Sequence, residues 1–156
     1  MAVSSGELHR IAATVIIYRD GKFLITKRSM SRKVFPGKWV VPGGGLEVRD
    51  YINDVPTHGL QWYGALEKTL RREVREEVNV EIGKVTYLLD LVFIRPDKIP
   101  VLTLSFYAPF LSGEVKINDE SEDFAWIKAS DVGKYDFIEG IDEEIEMVDS
   151  ILKTKS

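Results

Sequence analysis

The chain has 156 residues, of which 44% are hydrophobic and 29% charged, with no cysteine and a formal net charge of −4. That length suits one domain able to bury a core without staples, and the missing cysteines exclude disulfides and thiolate metal sites. The acidic balance argues against generic nucleic-acid binding, which needs a basic footprint. No apolar run approaches the roughly 18 residues needed to span a bilayer, so no membrane association is expected. Met1 to Arg10 has neither the basic start nor the apolar stretch of a signal peptide. A cytoplasmic protein is the expectation, with residues 1–10 as a flexible N-terminus.

In chain order, Ile11 to Tyr18 is a β-branched, almost wholly apolar run that reads as a strand buried on both faces. Asp20-Gly21 signals a tight turn, and Lys22 to Thr26 reads as its hairpin partner. After a basic stretch from Lys27 to Lys33 comes a short strand, Lys38 to Val41, ending in Pro42-Gly43-Gly44-Gly45. Val48 to Gly59 carries Asp50, Asn53, Asp54, Pro56 and Gly59 and reads as a loop. From about Trp62 to Val78 the period becomes helical, with Leu66, Leu70, Val74 and Val78 as an apolar stripe. Asn79 suits a left-handed cap. Strands are expected at Val85 to Ile94 and Val101 to Phe110, where Leu102, Leu104, Phe106, Ala108 and Phe110 alternate onto one face. An acidic loop, Asn118 to Asp123, leads into a strand at Phe124 to Ile127, and an amphipathic helix closes the chain from Ile141 to Leu152. Strands, helix, strands, helix implies an α/β or α+β sandwich.

The chemistry concentrates on the long helix. At about 100° per residue, Glu73, Glu76 and Glu77 fall within an arc of roughly 100° beside the apolar stripe. Several carboxylate oxygens on one patch are what a hard divalent cation takes, with waters and phosphates completing its shell. The plain alternative is a solvated face laced with ion pairs, such as Arg72 with Glu76. Against it, the Glu73–Glu76 and Glu73–Glu77 neighbours each destabilise a helix by roughly 0.2–0.5 kcal/mol. The helix dipole also disfavours Glu76 and Glu77 in the last turn by roughly 0.3–1 kcal/mol. A bound cation reverses both signs.

Arg72-Glu73-Val74-Arg75-Glu76-Glu77-Val78-Asn79-Val80 resembles the second half of the Nudix hydrolase signature, G-x5-E-x7-R-E-U-x-E-E-x-G-U, with Asn79 in place of its glycine. Trp39 to Glu47 is similar to the W-x-x-P-G-G-x-x-E lead-in of that family, and Asp119-Glu120 with Trp126 to its D-E-x5-W ending. The likeness spans about Ile11 to Val148 and implies one MutT-like Nudix domain over 1–156, an α/β/α sandwich around a mixed sheet. The box is degenerate: from Gly44 to Gly64, the position eight before Arg72, there are nineteen residues (45–63) where the family has five. The first signature glutamate then falls on Gly64 and is missing, with Glu47, Asp50 or Asp54 as possible stand-ins and 48–61 as the insertion.

The resemblance implies hydrolysis of a phosphoanhydride bond in a nucleoside diphosphate linked to another group, as in a nucleoside triphosphate or nucleotide sugar. It implies Mg2+, with Mn2+ as a substitute, on Glu73, Glu76 and Glu77. Glu76, Glu73, Glu120 and Arg72 are the expected catalytic set, Arg72 as a positioner and Glu120 as first candidate for general base, with Glu122 second. Arg28 and Arg32, together with Gly43, Gly44 and Gly45, are the expected substrate contacts; each arginine alone also reads as a surface charge, and the glycines as a plain turn. A homodimer is implied by family likeness only. The alternative function is a catalytically impaired Nudix-fold nucleotide-binding or regulatory module, which the missing glutamate favours. His9 and His58 read as structural or solvated, Trp39 and Trp126 as core, and Trp62 with Tyr63 as a staple onto the helix.

Overall fold

The computed structural model describes residues 5–155. Eight strands and two α-helices form it: β1 (Arg10–Arg19), β2 (Lys22–Arg28), β3 (Trp39–Val40), β4 (Gly43–Gly45), α1 (Ala65–Val78), β5 (Val80–Ile82), β6 (Thr86–Ile94), β7 (Pro100–Gly113), β8 (Ser121–Ile127) and α2 (Ile141–Lys155). Part of the expected flexible N-terminus, residues 1–4, lies outside the described residues. Ser5–Glu7 makes a 3-10 turn, and Arg10 already opens β1.

The sheet is mixed. β1 runs parallel to β7, from Arg10 beside Val101 to Tyr18 beside Pro109, and every other pairing is antiparallel. Asp20 and Gly21 have φ of 51° and 75°. These are the two positive angles that a tight hairpin turn needs, and the turn pairs Tyr18 with Phe23. β2 then leaves β1 and pairs with β3 and β8, while β4 takes its place along β1. The glycine run is therefore a strand rather than the expected turn, with Thr14 opposite Gly43 and Ala12 opposite Gly45. The splay of β1 from β2 opens the sheet at one end.

Each face of the sheet carries one helix. Ala13, Val15, Ile17 and Leu24 pack with Leu70, Val74 and Val78 of α1. Ile16, Phe23, Ile25 and Tyr107 pack with Ile145 and Val148 of α2 on the other face. Coverage on both faces explains why β1 reads as a continuous apolar run. It also revises the reading of β7: Leu102, Leu104 and Phe106 do alternate, but Val101, Thr103, Ser105 and Tyr107 on the opposite face are the more deeply buried. Periodicity alone favours the greasier face; the α2 layer buries the more polar one.

α1 starts at Ala65, three residues later than the period suggests, and ends at Asn79 with φ 60° and ψ 36°. The backbone N–H of Asn79 donates to Arg75 O at 3.0 Å, and its side chain donates to Glu114 O at 3.0 Å, fixing the chain that leads to β8. Trp39 meets Tyr135 edge-on at 5.0 Å, and Trp126 meets Phe110 at 5.9 Å, so both serve packing. Trp62 does not staple the helix. Its ring rests on Tyr51 at 5.2 Å and its indole N–H donates to Asp54 O at 2.9 Å, folding residues 51–64 on themselves.

Candidate active site

The splayed end of the sheet holds a cavity of about 610 Å3. Arg28, Arg32, Gly43, Gly44, Glu77 and Glu120 line one part of it. Phe35, Phe93, Leu91, Ile138 and Ile141 give it an apolar wall. Phe35 has φ of 50°, and its ring stands 6.3 Å from that of Phe93. A bulky residue adopts that backbone setting at a cost of about 1–3 kcal/mol.

Glu77 is a part-buried carboxyl that lines the cavity. The Gly43 N–H donates to it at 3.4 Å, and Glu73 and Glu120 lie close. Burial, then repulsion from Glu73 and Glu120, pushes its pKa well above the usual carboxylate range. Burial likewise raises Glu73, and repulsion from Glu76 adds to that, although Arg72 pulls the other way. A Cβ on Gly44 would sit 2.6 and 2.7 Å from the two Glu73 oxygens, so β4 rests directly against this carboxylate. Crowded, poorly solvated oxygens that resist ionising together are chemically suited to a hard divalent cation. Among the described residues no three acidic or histidine side chains stand at ligand spacing, and Glu76 is turned toward Arg72, whose Nη1 donates to it at 3.0 Å.

Arg72 organises this cluster. Its guanidinium pairs with Glu73 at 3.0 Å and Glu76 at 3.0 Å, and its Nε donates to Asp50 at 2.7 Å. Asp50 is buried and also accepts from the Thr69 hydroxyl at 2.9 Å and the Glu47 N–H at 2.9 Å. Burial works to raise the pKa of Asp50, but its hydrogen bonds from Arg72, the Glu47 N–H and Thr69 outweigh it and hold the carboxyl below its ordinary value. Of the three possible stand-ins, Glu47 pairs with exposed Arg49 and Asp54 with exposed Lys68, and only Asp50 reaches the helix arginine.

The signature can also be counted forward. From Gly44, five residues (45–49) lead directly to Asp50, which puts an aspartate at the place of the first signature glutamate. On that count the extra length is residues 51–64, between that acid and the helix, where the backward count gives 48–61. Gly64, where the backward count lands, caps the helix with φ 74°. That left-handed setting disfavours glutamate. The forward count is available in the sequence and finds Asp50.

The expected phosphate contacts stand beside these acids. Arg32 pairs with Glu120 at 3.1 Å, and Arg28 donates to Val34 O at 2.9 Å. Burial, then the neighbouring Arg32 charge, lowers the pKa of Arg28, while Glu77 and Glu120 oppose that. Glu122 instead pairs with Lys27 at 3.1 Å. His9 meets the Glu7 carbonyl and His58 stacks edge-on with Tyr63, and neither lines the cavity. Among the described residues no helix is long and apolar enough to cross a membrane.

Known proteins resemble this chain in sequence and fold. The chain is 34% identical over 131 residues to the nucleoside triphosphatase NudI of Escherichia coli strain K12, covering 78% of this chain and 83% of that one. Its fold superposes on a MutT NUDIX hydrolase from Burkholderia pseudomallei with a TM-score of 0.72 at 23% identity, over 91% of this chain and 99% of that one. It likewise matches the NUDIX domain of Shewanella oneidensis NrtR, solved with ADP ribose, with a TM-score of 0.72 at 20% identity, covering 94% and 90%. The family model for the NUDIX domain matches residues 8–146, and with the acidic helix and its arginine in place the chain belongs to the Nudix family as a pyrophosphohydrolase.

Proposed function

We propose that the protein hydrolyses a phosphoanhydride bond of a nucleoside triphosphate, in the cytoplasm, with Mg2+ as its cation and Mn2+ as a substitute. The observation that carries this reading is that Glu77 and Glu120 line one cavity with Arg28 and Arg32, with Glu73 beside Glu77. The likeness to a nucleoside triphosphatase supports the substrate class. Glu73, Glu76 and Glu77 would hold the cation, which polarises a phosphoryl oxygen and acidifies water. Arg72 fixes Glu73 and Glu76, and is itself fixed by Asp50. Arg28, Arg32 and the strand Gly43–Gly45 would align the polyphosphate, and alignment with charge neutralisation is most of what this reaction demands. Glu120, held by Arg32 near Glu77, would accept the proton of the attacking water. The pairing of Asp50 with Arg72 supports turnover over a binding module.

The test is release of phosphate, pyrophosphate and nucleotide from a panel of nucleoside triphosphates and nucleotide sugars, with Mg2+ and then Mn2+. Wild type should turn over at least one triphosphate, and Glu76→Gln should reduce kcat by at least about 100-fold, the scale on which losing one charge-stabilising group is felt. Silence across the panel, or full activity in the variant, would overturn the assignment.

A further inference from the structure

One buried acid takes no part in that chemistry. Glu144, in the first turn of α2, is 9% exposed and lines the same cavity as Glu77 and Arg28. Its Oε1 accepts from the Ser105 hydroxyl at 2.6 Å, and among the described residues Ser105 is the only side chain that donates to it. Ser105 lies beside Thr14 in the sheet, and Thr14 beside Gly43 of the phosphate end. Gly43 to Ser105 is thus two strand spacings, about 10 Å, roughly the reach from a polyphosphate across a ribose to a base. Thr26 lines the cavity as well, and its hydroxyl is buried without a partner. Phe35 and Phe93 line the same cavity, two rings available to a flat ligand.

One side-chain donor leaves a carboxyl room for a second, which a ligand in the cavity would supply. We propose that Glu144, oriented by Ser105, reads the nucleobase by accepting a hydrogen bond from its exocyclic amine, so that adenine and cytosine nucleotides are preferred over guanine, uracil and thymine nucleotides. Guanine, uracil and thymine bring a carbonyl oxygen to the position where adenine and cytosine carry the amine, and two acceptors facing each other in a dry pocket are penalised. Burial raises the pKa of Glu144, with the Ser105 hydrogen bond opposing it. This inference rests on the nucleotide-hydrolase reading above.

The experiment compares kcat/KM for ATP, CTP, GTP, UTP and dTTP at pH 8 in wild type, Glu144→Gln and Ser105→Ala. Equilibrium binding of the same nucleotides to the Glu76→Gln protein accompanies it. Wild type should favour ATP and CTP over GTP, UTP and dTTP by at least about tenfold. Glu144→Gln, whose amide can donate to a carbonyl, should narrow that ratio to about threefold or less, losing on ATP and CTP while GTP, UTP and dTTP hold or improve. Ser105→Ala should narrow it partly and serves where the Glu144 variant does not fold. A common fall across all five nucleotides, or a wild type without base preference, overturns the assignment of Glu144 even if turnover is brisk. Absence of binding by every nucleotide overturns the nucleotide reading, and this inference with it.

Discussion

Asp50 Oδ1 accepts from Arg72 Nε at 2.7 Å across twenty-two positions of sequence, and this one pair ties the extended loop to the acidic helix. The same guanidinium then reaches Glu73 and Glu76, so the buried aspartate acts on the cluster through Arg72 without touching it. Arg72 Nη2 is buried with no partner of its own, which leaves Asp50 as a principal counterweight to a part-buried charge.

Asp50→Asn should therefore be costly. Breaking a buried pair by removing one partner costs about 3–5 kcal/mol, and Arg72 keeps two other carboxylates, so the low end, about 3 kcal/mol, is expected. For a chain of this size that lowers Tm by roughly 6–12 °C. The pair also sets a pH limit. Because the folded-state pKa of Asp50 lies below its ordinary value, its contribution is present above that ordinary value and is lost as pH falls through the folded one. Acid melting curves of wild type and Asp50→Asn should converge below the carboxylate range. A variant as stable as wild type at pH 7 would show the pair to be decorative.

Glu77 has the opposite sign. Its pKa is raised by burial and by Glu73 and Glu120, so folding favours its protonated form. Stability from that group is fully present below the ordinary carboxylate pKa and is lost as pH rises through the folded value. In chelator at pH 7–8, Glu77→Gln should melt higher than wild type by roughly 2–4 °C, the shift that about 1 kcal/mol gives. Mg2+ should then raise the Tm of wild type and leave the variant nearly unmoved. A lower Tm for Glu77→Gln in chelator would mean that the carboxylate stabilises the fold, against the crowding argument.

Much of the scaffold is legible from local rules, and the reasons are physical. The four-residue recurrence of Leu66, Leu70, Val74 and Val78 marks the buried side of α1, and Asn79 takes the left-handed cap its side chain suits. The family resemblance supplies the clustering of acids near Arg28 and Arg32, which no local rule contains. What escapes are relations made by the fold. Asp50 reads as one polar loop residue among several because the helix it serves begins fifteen residues later. Glu144 reads as an ordinary first-turn acid favoured by the helix dipole. Its partner Ser105 lies 39 residues away, on a central strand. Nor does alternation along β7 reveal which face α2 buries.

The close approach of Gly44 to Glu73 gives a last prediction, one that separates position from stability. A methyl group at residue 44 would fall 2.6 Å from Glu73 Oε1, well inside van der Waals contact, so the carboxylate must shift by several tenths of an ångström. It cannot shift freely, because Arg72 holds it at 3.0 Å and Glu77 stands beside it. Overpacking of this kind costs about 1–3 kcal/mol, which a chain of ordinary stability survives. Misplacement of a catalytic group by as much as about 1 Å can cost about 100-fold in rate, so a smaller displacement should lower kcat by at least about tenfold. Gly44→Ala should therefore remain folded while losing activity and requiring more Mg2+ for half-maximal rate. Steady-state kinetics across a Mg2+ titration, with a melting curve on the same sample, checks both halves. A folded variant with unchanged kcat and unchanged Mg2+ dependence would show that Glu73 does not have to sit where β4 confines it.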